Sequence, residues 1–395
     1  MKGRLWCFVA TMIMAVSTSA VAQEVKIGVL SDMSGTAASI GGPGSIVAAQ
    51  LAVEDFGGTV DGRKISILSA DGQDKPDVSS VVARRWYEQD GVDVIVDVPV
   101  SSAALAVQTV AHELHKVLLV SGATTTALTG TACSPWTLHW AEDIYTLSNG
   151  MVGAVVKTGG NSWFLVTLDF KFGYELEAEL KRVLESLHAQ YDGTVKAPFN
   201  TSDWSSFILQ AQHSKAKIVA IAAGGSDFTN ALRAAREFGL VAGGQKLAGI
   251  LVFLSDIHGL GLDVAQGLEF ASSFYWDQND ESRSFAKRFM AKRGVMPTRE
   301  HAETYAALID YLSAVKAVHS TDPDKVVAWM RAHEARYFGH TAQVRRDGRV
   351  VFPVGLWEVK KPTESKGPWD YLKLVRMIPP DEAFEPLSQA CPSAK

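Results

Sequence analysis

The sequence predicts an α/β protein of two lobes, each a doubly wound parallel sheet, joined by a hinge. Three observations carry this. A chain of 395 residues exceeds what one hydrophobic core usually supports, so two lobes are the default. Its strand-like runs are apolar throughout and alternate with helical patterns, the mark of a parallel sheet covered on both faces. The alternation restarts after Trp140 without a low-complexity linker, which suggests short crossings rather than a tether. A composition 47% apolar and 21% charged is that of an ordinary globular protein and argues against disorder or a polytopic membrane protein.

In the first half "VKIGVLSD", "KISILSAD", "VDVIVDVP" and "KVLLVSG" read as buried strands. Helices fall on "GSIVAAQLAVEDF", with Ile46, Ala49, Val53 and Phe56 on one face, and around 76–89 and 101–115. In the second half the strands are "NSWFLVTLD", "GTVKAPF", "KIVAIAA" and "KLAGILVFL", with helices near 174–188, 205–213 and 229–238. Two amphipathic helices follow, "ESRSFAKRFMAKRG" and "REHAETYAALIDYLSAVKAVH". "HTAQVRRDGRVVFPVGLWEV" reads as a hairpin about an Asp347–Gly348 turn.

The amino terminus is a separate unit. Lys2 and Arg4 precede a 12-residue apolar run at 5–16, and an Ala20-x-Ala22 cleavage site follows, so 1–22 reads as a secretory signal. The run is too short to span a bilayer. Without Lys2 and Arg4 the formal charge moves from −5 to −7, with 36 basic against 43 acidic residues, and gives no general attraction for nucleic acid. Cys7 leaves with the signal. Cys133 and Cys391 then permit one intramolecular pairing in an oxidising compartment, and a bridge tying the C-terminal tail to the first lobe is expected, with two buried thiols as the alternative.

Ligands of open parallel sheets bind beyond the carboxyl ends of the strands. The informative loops are "SDMSGTAASIGGPGS", "PVSSAA" and "SGATTTALTG" in the first half, and "LDFKFGY", "AGGSDF" and "LSDIHG" across the cleft. Hydroxyls, glycine amides and helix N-termini in the first set form a seat for a small carboxylate without an arginine, although such residues also serve as plain helix caps. Trp140, Phe170, Phe172, Phe228 and Phe253 would suit an apolar or aromatic body.

Enzyme signals are weak. "HELH" at 112–115 lacks the His-Glu-x-x-His spacing of a helical zinc site, and "GGPGS" lacks the Gly-Lys-Ser/Thr of a phosphate loop. There is no G-x-S-x-G elbow. Asp32, Asp71, Asp97 and Asp169 end or interrupt strands, where aspartate commonly caps helices. No cofactor and no metal is expected.

The same residues carry a resemblance. From "VKIGVLSDMSGTAASIGGPGSIVAAQLAVEDFGG" through "SSAALAVQTVAHELHKVLLVSGATTTALTG", "DFKFGYELEAEL" and "ETYAALIDYLSAVKAV", the chain resembles the periplasmic solute-binding proteins typified by the leucine/isoleucine/valine-binding protein, the type I binding fold of ABC importers. The resemblance implies three crossings between the lobes and closure over a small ligand. It places a carboxylate-holding serine on Ser101, beside Ser102, and further contacts on Gly122, Ala123 and Thr124. A tyrosine of the family's first loop corresponds to Ile40, and a second-lobe aromatic to Phe172. Trp140, Phe170 and Ser226 complete the expected contacts. Where amino-acid binders of the family keep a second-lobe carboxylate for the ammonium, this chain has an apolar residue, the nearest acid being Asp256.

An unpaired ammonium is costly to bury, and "HWAEDIYTLSNG" and "NTSDWSS" are most similar to the branch that takes aromatic carboxylates. The expectation is a monomeric, periplasmic binding protein that delivers an aromatic acid to an inner-membrane ABC permease. An amino-acid binder or a receptor's sensor subunit shares the fold; a secreted hydrolase lacks a nucleophile with its base. The expected bounds are 23–141 with 274–345 for the first lobe, 142–273 with 346–375 for the second, and a tail at 376–395 returning to the first.

Overall fold

The computed structural model describes residues 24–157, 159–387 and 390–392. The expected signal at 1–22, with its cleavage near Ala22, lies outside the described residues.

The first sheet is assembled from β1 (Val25–Ser31), β2 (Thr59–Val60), β3 (Arg63–Asp71), β4 (Val94–Asp97), β5 (Val117–Val120) and β6 (Thr137–His139). Its order is β2-β3-β1-β4-β5-β6, parallel except for the β2–β3 pair. Helices α1 (Gly42–Phe56), α2 (Pro76–Glu88) and α3 (Ser101–Glu113) connect these strands. Because side chains alternate across a strand, Val25, Ile27, Val29, Val94 and Val96 join one apolar cluster with α1, while Leu30, Ile95, Leu118 and Val120 join another with α2 and α3. Both faces of β1, β4 and β5 are buried, so these strands show no polar alternation.

After β6 the chain enters the second lobe through α4 (Ile144–Lys157), β7 (Ser162–Leu168), α5 (Lys171–Ser186), β8 (Gln190–Ala197), α6 (Ser205–His213), β9 (Ile218–Ala222) and α7 (Gly225–Glu237). β10 (Lys246–Ile250), α8 (Leu254–Leu260), α9 (Leu262–Ala265) and β11 (Glu269–Ser272) follow. The chain then returns as α10 (Asp280–Arg293), α11 (Arg299–Val318), α12 (Pro323–Ala332), β12 (Ala335–Tyr337), β13 (His340–Val344) and β14 (Val350–Val351). It crosses once more into β15 (Val354–Val359), β16 (Leu372–Ile378) and α13 (Pro380–Ala383). The second sheet runs β16-β15-β11-β10-β9-β7-β8, parallel up to β11 and antiparallel beyond. Among the described residues the lobes are joined by three crossings, as the family resemblance implied.

Several expectations are corrected. The fourth second-lobe strand stops at Ile250 rather than running to 254, because Leu251 takes left-handed backbone (φ 67°) and α8 starts three residues later. The helices expected from 174 and 229 begin at Lys171 and Gly225, so Phe172 and Ser226 sit in first turns. The hairpin about Asp347–Gly348 is shorter than expected: Gln343 and Val344 pair with Val351 and Val350, and Phe352–Pro353 then leads to the other sheet. Proline has no N–H to continue the ladder. Cys133 is bonded to Cys391, 258 residues later, and this bridge attaches the tail to the first lobe. His112 and His115 pack their rings on Trp136.

The crossings are stitched by buried charge. Arg299 pairs with Glu142 at 2.8 Å, and both are almost wholly buried. The Ser273 amide donates to Glu142, and its hydroxyl bonds Glu303 and the Tyr337 hydroxyl. Burial alone would raise the Glu142 carboxyl, yet Arg299, Glu303 and Ser273 hold it below its ordinary value. At the neighbouring crossing Arg349 donates to Asp143, to the Ala141 carbonyl and to His139 Nδ1. His139 Nε2–H in turn donates to the Ala123 carbonyl, which fixes the neutral tautomer; burial and Arg349 together push that imidazole well below its usual range.

Candidate functional site

Between the lobes lies a cavity of about 180 Å³. Its first-lobe wall consists of Thr36, Ala37 and Ile40 after β1, Pro99–Ser102 after β4, Gly122 and Thr124 after β5, and Glu300 at the start of α11. Its second-lobe wall consists of Leu168, Phe170, Lys171, Phe172 and Glu175, with Phe199, Gly224, Leu251 and Phe253.

The wall after β4 is held in unusual backbone. Asp97 and Val98 both have positive φ (87° and 60°), which a β-branched residue adopts only when its surroundings enforce it. Three residues after Val98, α3 begins at Ser101, and its N-cap is Val100, which makes no side-chain cap bond. The serines therefore do not cap the helix in the ordinary way. Its first-turn N–H groups, at the positive end of the dipole, lie at the cavity with no capping side chain.

The wall after β5 is divided between tasks. Ser121 bonds the Thr304 hydroxyl on α11, and Thr125 accepts from the Ala127 amide. Gly122 and Thr124 remain for the cavity. Gly122 is required by space: a Cβ there would stand 2.5 Å from Pro99 Cα and 2.9 Å from Glu300 Oε1.

The first loop is fixed from two sides. Asp32 accepts the amides of Gly35 and Ala37, so this aspartate holds a loop rather than a helix. From α11, Thr298 Oγ1 donates to the Ile40 carbonyl and His301 Nε2–H to the Gly41 carbonyl. Burial pushes His301 down to about 4, so it serves as a neutral strut.

The opposite wall is aromatic. Phe170 stacks near Phe172 at 5.9 Å between centroids and meets Phe199 edge-on at 5.5 Å. Phe172 and Phe253 are buried, whereas Phe170 and Phe199 stay exposed at the lip. Lys171 and Glu175 form a loose pair of 3.6 Å there.

Of the residues singled out from sequence, the cavity brings together Ser101, Ser102, Gly122, Thr124, Ile40, Phe170, Phe172 and Phe253. The others lie elsewhere. Ala123 is buried, with its carbonyl bonded to His139. Trp140 and Phe228 are fully buried in core clusters. Ser226 is exposed on α7. Asp256 caps α8 by accepting the Phe253 amide at 2.9 Å, and burial raises its carboxyl to about 7.

The residues missed from sequence are Glu300, Lys171, Glu175 and Phe199. Glu300 lies in a helix read as amphipathic, whose start therefore reads as solvated. In the structure Arg299, Glu300, His301 and Glu303 are all buried, because α11 packs along α1 and against the crossings.

Two α/β lobes enclosing a small cavity, with donors on one wall and rings on the other, have the build of a ligand-binding protein. The model of the family described as periplasmic binding protein matches residues 24–367, and the chain belongs to that family, whose members are the substrate-binding proteins of ABC transporters and not enzymes. Among solved structures it is similar to a periplasmic binding protein of Burkholderia mallei, at 42% identity over 95% of this chain and 100% of that one, with a TM-score of 0.90. It is also similar to a branched-chain amino acid ABC transporter periplasmic ligand-binding protein of Burkholderia xenovorans, at 38% identity over 93% and 100%, TM-score 0.87. A solute-binding protein of R. palustris in complex with 4-hydroxybenzoate shares the fold, at 19% identity over 91% and 98%, TM-score 0.82. A search of curated proteins found no match. Among the described residues no helix is long and apolar enough to cross a membrane.

Proposed function

We propose that the chain is exported to the periplasm and delivers a small aromatic carboxylate to an ABC permease in the inner membrane, acting as a monomer with its signal removed near Ala22. Ser101, Gly122, Thr124 and the uncapped start of α3 seat the carboxylate. Phe170, Phe172, Phe199 and Phe253 cover the ring, and closure presents one shape to the permease.

The observation that carries this reading is the cavity's division into a neutral-donor wall and an aromatic wall, the latter including the apolar side chains of Leu251 and Phe253. Its volume, about 180 Å³, matches a single ring, since an apolar cavity of about 150 Å³ takes up benzene. The fold accommodates such ligands, as the R. palustris protein with 4-hydroxybenzoate illustrates.

A second reading is a branched-chain amino acid. It is favoured by the name of the B. xenovorans relative and by Glu175 and Glu300 in the wall, either of which offers a carboxylate to an ammonium.

Thermal melting with benzoate, 4-hydroxybenzoate, leucine, isoleucine and valine separates the two. A ligand at 100 times its Kd adds about 2.7 kcal/mol of stability, and the aromatic reading expects that shift from the benzoates alone. Ser101→Ala should then weaken binding by about 1.5–3 kcal/mol, the contribution of a hydrogen bond to a charged group. A shift with the aliphatic amino acids and none with the benzoates decides for the second reading.

A further inference from the structure

Glu300 is the second residue of α11, 2% exposed, and one of its carboxyl oxygens, Oε1, has no hydrogen-bond donor. It is nevertheless part of the cavity wall. Its surroundings are defined by two glycines. A Cβ on Gly41 would stand 2.1 Å from Glu300 Oε1 and 3.2 Å from Asp97 Oδ2. A Cβ on Gly122 would stand 2.9 Å from Glu300 Oε1 and 3.1 Å from Asp97 Oδ1. The absence of side chains at 41 and 122 thus admits two carboxyl groups side by side, directly behind the seat formed by Gly122 and Ser101. Asp97 is itself wholly buried, on the positive-φ backbone that ends β4.

Two buried carboxylates in contact do not both ionise. The other charged groups facing the pair are Asp74 from the loop after β3, Arg299 and Glu303 on α11, and Lys171 and Glu175 across the cavity. Arg299 is committed to Glu142, and Lys171 to Glu175. Arg299, already paired with Glu142, only partly offsets a second negative charge at Glu300. Burial first, and then Asp97, push the Glu300 carboxyl well above its ordinary range, while Asp97 is raised chiefly by burial and restrained by Glu300 and the Ser45 and Ser31 hydroxyls. The pair therefore keeps a proton that an isolated, solvated pair of carboxyls would lose.

We propose that Glu300 is a ligand-contacting, specificity-determining residue: sharing one proton with Asp97, its carboxyl acts as a neutral hydrogen-bond donor to the ligand's carboxylate and makes binding depend on that proton. This rests on the reading of the cavity as a carboxylate site. An ionised Glu300 would repel an anion at Gly122; a protonated one completes the donor set. Ligand binding thus stabilises the protonated pair, and affinity falls as the solution becomes more alkaline.

The test is calorimetry of benzoate binding to the full chain between pH 6 and pH 9, in two buffers with different ionisation heats. The expected result is proton uptake with each benzoate at the alkaline end and an affinity at least tenfold weaker at pH 9 than at pH 6. Glu300→Gln, which is neutral at every pH and keeps an N–H donor, should bind benzoate with no pH dependence and no proton uptake. Glu300→Leu should bind weakly throughout. Benzoate binding by the unaltered protein without proton uptake or pH dependence overturns the proposal and leaves the aromatic-acid reading standing; that measurement needs no variant to fold. Failure of benzoate and 4-hydroxybenzoate to bind at any pH overturns both.

Discussion

The guanidinium of Arg299, on the first lobe, lies over the ring of Phe253 on the second, 4.2 Å from its centroid, and donates to the neighbouring Val252 carbonyl at 3.0 Å. The same side chain is ion-paired with Glu142 in the first crossing. One residue thereby links the cavity's aromatic wall to the hinge, and its neighbour in sequence, Glu300, lines the cavity.

Removing that side chain leaves Glu142 buried and unpaired. Arg299→Met is expected to destabilise the fold by about 3–5 kcal/mol, read by urea denaturation, and to enlarge the radius of gyration measured by small-angle scattering. Pairing it with Glu142→Leu should recover a large part of the lost stability, because the uncompensated charge goes too.

Gly122→Ala places a methyl group against the Pro99 backbone and Glu300. Since Pro99 Cα cannot yield like a flexible side chain, the β5 loop must move. Benzoate affinity should fall at least tenfold, about 1.4 kcal/mol, in a titration at pH 6.

The Cys133–Cys391 bridge closes a loop of 258 residues. Chain entropy sets a ceiling of about 5 kcal/mol on its contribution, and removal of native disulfides typically costs about 2–5 kcal/mol. Cys133→Ser, or reduction of the native protein, should lower the unfolding free energy from urea denaturation by an amount in that range and leave ligand affinity little changed, because neither cysteine is part of the cavity wall.

Asp310 is buried on α11 with Oδ2 unpartnered, and burial pushes its carboxyl up to about 7. A carboxyl raised in the folded state contributes stability that is fully present below its unfolded pKa, near 3.9, and is lost as pH rises through about 7. Asp310→Asn should remove that pH dependence. The stability difference between variant and parent should shift in the variant's favour by at most about 4 kcal/mol from pH 4 to pH 8, as measured by denaturation at each pH.

Much of this was legible in the order of residues. Strands buried on both faces, such as 94–97 and 117–120, announce a parallel sheet, and the sheet's geometry then obliges the loops at 99–102 and 122–124 to form the cleft. The loops were accessible for that reason, and the family resemblance then singled out Ser101, Gly122, Thr124 and Phe172 within or beside them. The short strands β6 and β12 were not, because three residues carry no readable period, and the hairpin arm was cut at Pro353 by a choice between two sheets.

The sequence by itself determined the two lobes, the strand-end loops facing each other, and the one pairing available to Cys133 and Cys391, since local pattern and residue type suffice for these. Only the tertiary structure decided that Trp140 belongs to the core, that Asp256 caps a helix, and that Glu300 reaches Asp97 beneath Gly122. The first and last depend on which side chains, distant in the chain, are excluded from water together, and burial of that kind has no signature in a linear pattern; the cap is local, but it forms only because the strand stops at Ile250.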